Sequence, residues 1–277
     1  MTTLPPCPLP LPPELADALP AAFQSGAVVP VLGPAVLAEV THAADGRKIP
    51  AESTELILAL NNGQPMSPRL MEEFPRAAMH VELKRGRKAL QGFLEKLYAD
   101  PAWSEAALHR WLVDLKVPYI IDLNRDTGLQ KLLAATPHTL VVGCARIAGT
   151  AYRFKIYAHD GSAYREVPQE AVDDSLPILF KPLGTPLPEA SWIASDADYV
   201  DYITELMGGF AIPSFLKKRR LGRQYATFGL RLSRDTERMV LADLMWGAAD
   251  PAGWALIDAP TPRERKFCAR LKLVLPA

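Results

Sequence analysis

The sequence predicts an α/β fold, a Rossmann-like parallel sheet with helices on both faces and a helical insertion. Short apolar runs bounded by glycine or proline, such as G-A-V-V-P-V-L-G (26–33) and T-L-V-V-G-C-A (139–145), have the length and β-branched content of buried strands. Between them lie stretches whose apolar residues recur at three- and four-residue spacing, for example Leu90, Phe93, Leu94 and Leu97. Strands alternating with helices give right-handed β-α-β crossovers and a parallel sheet by default.

A proline-rich arm is expected over residues 1–20, extended until Pro13 opens a short helix, and one domain over 21–277. The 26–33 run is the natural first strand and places Gly33 at its carboxyl end. Helical periodicity then occupies about 50–115, an insertion between the first and second strands. The second strand ends in D-L-N-R-D (122–126), delivering Asn124 and Asp126 to the sheet edge where open α/β sheets bind ligands. Asp126 is equally suited to cap a helix opening near Thr127. After the 139–145 strand, a hairpin insertion over about 150–170 turns at Asp160-Gly161. The run ending F-K-P-L-G-T (180–185) brings Leu183 and Gly184 to the same rim as Asn124. A helix capped at Ser195 covers 195–206. The sequence then reads strand (225–232), helix from about Thr236, strand (253–258), helix (262–270) and a closing strand (271–275).

Composition narrows the functional classes. The chain has 277 residues, 49% of them hydrophobic, enough for a proper core. With 31 basic and 31 acidic residues there is no net field to gather nucleic acid or anionic membrane. The local cluster Lys217, Lys218, Arg219, Arg220 and Arg223 could grip a polyanion, but it lacks interleaved aromatics and also suits a solvated helix end. Cys7, Cys144 and Cys268 are scattered and odd in number, which speaks against a disulfide framework or a zinc site and for a reducing cytoplasm. No membrane span and no secretory signal pattern are apparent. The histidines 42, 80, 109, 138 and 159 show no metal-ligand spacing, although His109 or His138 could in principle swing into the crevice.

Five short motifs in order carry a family resemblance: L-G-P-A-V-L (32–37), D-L-N-R-D (122–126), F-K-P-L-G-T (180–185), S-D-A-D-Y-V-D-Y (195–202) and F-G-L-R-L-S-R-D (228–235). Together they resemble the sirtuin-like family. The resemblance implies NAD, or an ADP-ribose derivative, as cofactor. Gly33 would face the diphosphate, and Asn124 the nicotinamide ribose or its water. Gly184 would lie in the motif after the third strand, and Gly229, Ser233 and Asp235 around the adenosine half. Asn124 and Asp126 are the catalytic candidates, with Asp126 orienting the loop.

The departures bear on activity. Leu183 stands where the family has the general-base histidine, and loss of such a base typically forfeits about two to four powers of ten in rate. Pro34 removes an N–H donor from the phosphate-binding turn. Asp122 and Leu123 replace the threonines that usually precede the asparagine. The expected function is therefore nucleotide binding with impaired or absent catalysis, as a sensor or a scaffold for a protein partner, with oligomerisation open. An active NAD glycohydrolase like the sirtuin-like effectors of bacterial defence, and a ligand-free interaction module, are the alternatives.

Overall fold

The computed structural model describes residues 6–147 and 151–276. Its strands are β1 (Val28–Leu32), β2 (Tyr119–Asp122), β3 (His138–Gly143), β4 (Phe154–His159), β5 (Tyr164–Glu166), β6 (Ile178–Lys181), β7 (Gly184–Thr185), β8 (Ser191–Trp192), β9 (Gln224–Phe228), β10 (Gly253–Leu256) and β11 (Leu273–Val274). All but β7 and β8 form one sheet in the order β11-β10-β9-β1-β2-β6-β3-β4-β5. Pairing is parallel from β11 through β3, and antiparallel at β3–β4 and β4–β5.

The helices are α1 (Pro13–Gln24), α2 (Ser53–Leu60), α3 (Pro68–Met71), α4 (Phe74–Arg85), α5 (Arg87–Tyr98), α6 (Ala107–Asp114), α7 (Gly128–Leu132), α8 (Asp196–Met207), α9 (Ser214–Arg219), α10 (Asp235–Leu244) and α11 (Pro262–Arg270). Alternation along each strand divides the core. Val29, Val31, Ile121, Phe180 and Tyr225 pack on the α8, α10 and α11 side. Val28, Leu32, Ile120, Leu179 and Phe228 pack against α1 and α6. Both faces of the parallel strands are thus buried, as a doubly wound sheet requires.

The predicted helical insertion is α2–α6; α2–α5 share an apolar core around Ile57, Ala77, Ala78 and Leu94, whereas α6 packs on the sheet. Arg87 of α5 ties the insertion to the sheet domain: the fully buried Asp198 of α8 accepts from Arg87 (2.7 Å) and from the Ala194 and Ser195 amides (3.1 and 3.0 Å), and is also ion-paired with Arg146 (3.0 Å) of the loop after β3.

Pro13 opens α1, as the sequence suggests, and Leu15, Leu19 and Phe23 of that helix lie in the core, so the extended arm ends at Pro12. Its first residues, 1–5, and residues 148–150 at the start of the expected hairpin lie outside the described residues. The hairpin turning at Asp160-Gly161 is β4–β5, and it continues the main sheet as its antiparallel edge. No helix among the described residues is long and apolar enough to cross a membrane.

Candidate functional site

The topology locates the site. From β1 the chain proceeds to β2 on one side, while β9, on the other side of β1, leads away to β10 and β11. The carboxyl ends of β1 and β9 therefore flank a switch point, the usual ligand crevice of such sheets.

The strand ends here are tied together by a buried polar network. Asp122 ends β2 and Lys181 ends the neighbouring β6; both are fully buried, with Nζ and Oδ2 2.5 Å apart. The second oxygen of Asp122 accepts from the Asn124 amide N–H and from its Nδ2, each at 3.0 Å. Nδ2 also donates to the Gly33 carbonyl at 3.1 Å, which joins the end of β1. Asn124 is thus held rigidly, both side-chain hydrogens used, and its Oδ1 is the polar atom left for a ligand.

Asn124 and Leu183 line one cavity together with Pro34, Leu123, Arg125 and Leu230 from the strand ends and Tyr199, Arg234 and Glu237 from α8 and the start of α10. The helical block supplies the opposite wall, including Glu52, Ser53, Phe74 and Tyr98. The free volume is about 70 Å³, room for several waters. Burial raises the carboxyl pKa of Glu237, which has one oxygen unpartnered and Arg234 at 3.6 Å from the other. Burial raises Glu52 as well. The Tyr98 phenol is pushed up to about 12, and Tyr199 is raised in the same way, so both hydroxyls stay protonated.

The predicted site residues do not all meet. Gly33 lies at the junction of β1 and β9, but its N–H donates to the Phe228 carbonyl (2.8 Å) and the Ala35 N–H to the Gly229 carbonyl (3.1 Å). A Cβ on Gly33 would come within 2.3 Å of Leu230, so glycine is required by the close approach of the β9 turn. Gly229, at φ +66°, closes that turn and faces a separate groove of about 700 Å³ bordered by Leu9–Pro12, Leu256, Ile257, Asp258 and Arg265. Gly184, at φ +91°, opens the β7–β8 ribbon, and a Cβ there would meet the Ser191 carbonyl at 2.1 Å; it is absent from the cavity wall.

Asp126 turns away from the cavity. Its Oδ2 accepts from the Gly128 N–H at 2.7 Å, a local turn that leads the chain into α7, whose N-cap is Thr127 rather than Asp126. Ser233 and Asp235 are exposed and outside the cavity. Asp235, the first residue of α10, points outward to Arg238 and Arg263, while Arg234 and Glu237 take the inner positions. None of the histidines lines the cavity. His109 is fully buried beneath Gly128, and His138 stacks on His159 at the far edge of the sheet.

Sequence reasoning missed Arg125, Arg234, Glu237 and the wall from the helical block. Arg125 is the unspecified middle residue of N-x-D, and nothing in the spacing marks it. Four of the five residues of the basic cluster are tied within the fold: Lys217 to the Gly209 carbonyl, Arg219 to Asp174, Arg220 to Asp243 and Arg223 to the Gly26 carbonyl, while Lys218 is exposed. The sequence matches no protein-family model and no curated protein.

Proposed function

We propose that this protein binds NAD or an ADP-ribose-type nucleotide at the switch point, with impaired or absent turnover, and acts as a sensor or scaffold in the manner of a degenerate sirtuin-like protein. The carrying observation is the convergence at one sheet edge of the ends of β1, β2, β6 and β9, with Asn124 fixed between them and Leu183 beside it. The groove beyond Gly229 supports a place for the adenosine half, since its volume falls within the range of about 300–1,000 Å³ usual for small-molecule sites. Leu183 cannot accept a proton, and no histidine lines the cavity to replace it, which argues against efficient hydrolysis.

A ligand-free interaction module is the second reading, favoured by the closed turn at Gly33, whose neighbouring amides are already bonded to the β9 turn. Thermal-shift titration with ADP-ribose separates the two, because a ligand bound only to the folded state raises its stability by mass action. Asn124→Ala should weaken that binding by roughly 1–3 kcal/mol, the cost of leaving a buried polar partner unmatched. If ADP-ribose at millimolar concentration leaves the melting temperature unchanged, the module reading replaces the nucleotide one.

A further inference from the structure

Arg125 is 8% exposed, yet among the described residues no carboxylate lies within ion-pair distance of it. A buried guanidinium is ordinarily paired, because leaving its charge uncompensated is costly. Here its partners are neutral. Nε donates to the Ile193 carbonyl at 3.1 Å, as does Nη2, which also reaches the Tyr199 hydroxyl at 3.3 Å. The guanidinium carbon lies 5.9 Å from the centre of the Phe74 ring, and the Tyr98 hydroxyl is a further neighbour.

These contacts orient the fork without neutralising it, and the side chain lines the cavity. The cavity end around Arg125 is accordingly rich in donors: one guanidinium and the protonated hydroxyls of Tyr98 and Tyr199. Phe74, Leu123 and Leu183 make its walls apolar. The acidic groups do not cancel the cation, since Glu237 has Arg234 as its own partner at 3.6 Å and Glu52, raised in pKa by burial, is turned to the α2 capping box.

We propose that this cavity is a receptor for a small planar carboxylate, with Arg125 as its anchor and Tyr98 and Tyr199 as supporting donors. With Nε and Nη2 committed to Ile193 and Tyr199, Nη1 is the guanidinium nitrogen left to donate, and a carboxylate there supplies the missing counter-charge while its second oxygen accepts from a tyrosine hydroxyl. At about 70 Å³ the cavity lies well below the roughly 300–1,000 Å³ usual for whole small-molecule sites, so it receives the carboxylate end of a ligand, with the flat body against the aromatic and aliphatic walls at its mouth, and not a whole dinucleotide. The inference deepens the nucleotide reading, on which it rests only in its last step: a dinucleotide entering here would present a pyridine carboxylate in preference to a carboxamide.

The test is calorimetric titration of the full chain with nicotinate, benzoate, nicotinamide, inorganic phosphate and, separately, ADP-ribose. The two carboxylates are expected to bind at least tenfold more tightly than nicotinamide and than phosphate. Arg125→Gln should remove that preference. Because Arg125 also holds the Ile193 carbonyl, Tyr98→Phe is the second variant; it keeps that tie and should weaken carboxylate binding several-fold. Equal affinity for nicotinate and nicotinamide, tighter binding of phosphate, absence of carboxylate binding at millimolar concentration, or a preference that survives Arg125→Gln would each overturn the proposal. ADP-ribose binding without carboxylate selectivity overturns this inference and leaves the nucleotide reading standing. Carboxylate binding without ADP-ribose binding does the reverse.

Discussion

Lys181 and Asp122 are fully buried opposite charges at the ends of neighbouring strands, and Asn124 hangs from the same carboxylate. Removing one partner strands the other charge in the interior, which typically costs about 3–5 kcal/mol. Lys181→Met should therefore lower the stability read from urea unfolding by that order and also weaken ligand binding through Asn124. A loss below about 1 kcal/mol would place the pair in the class of exposed ion pairs. Leu183→His is expected to leave nicotinamide release at background, because an added imidazole does not free the amides of Gly33 and Ala35 from Phe228 and Gly229. A clear rise in release over hours would show that the missing base alone limits turnover. At this scale the sequence told half the story. Asn124, Leu183 and the strand-end position of Gly33 were legible because each closes an apolar run. Arg125, Arg234 and Glu237 were not, since their inward direction depends on helix register and on a wall supplied from distant elements.

Among the elements, the β3–β4–β5 edge carries a titratable stack. His138 is fully buried, with Nδ1 2.7 Å from the Thr136 carbonyl and Nε2 2.9 Å from the Tyr164 hydroxyl, and its ring lies 4.8 Å from that of His159. Burial holds its pKa below the ordinary histidine value, and the proximity of His159 acts in the same direction. The unfolded chain then takes up the proton first. The contribution of His138 to stability is full above the unfolded value of about 6.5 and is lost as pH falls below it through the folded value. The urea midpoint should drop between pH 7.5 and pH 5, and His138→Gln should flatten that drop; an unchanged slope in the variant would remove His138 as its source. Element types and order follow closely from periodicity, including α11, which its Thr261–Glu264 capping box announces in the sequence. Facing follows less well. At the start of α10, Arg234 and Glu237 line the cavity while Asp235 turns outward to Arg238 and Arg263, which no local signal marks.

For the whole molecule, the sheet order places β9 and β2 on either side of β1, and the helical block closes over the crevice that results. The order was not readable from the chain. β6 inserts between β2 and β3, a pairing set by the long-range match of apolar faces rather than by any local signal. The resulting arrangement leaves a narrow cavity at Asn124 and a wide groove beyond Gly229, separated by the closed turn of Gly33 and Leu230. Binding without efficient chemistry is the central claim. It is tested most directly by titrating NAD into the protein in a calorimeter and assaying nicotinamide in the same cell afterwards. The account predicts saturable heat with no more than trace nicotinamide. Robust release of nicotinamide, or no heat at millimolar NAD, would contradict it.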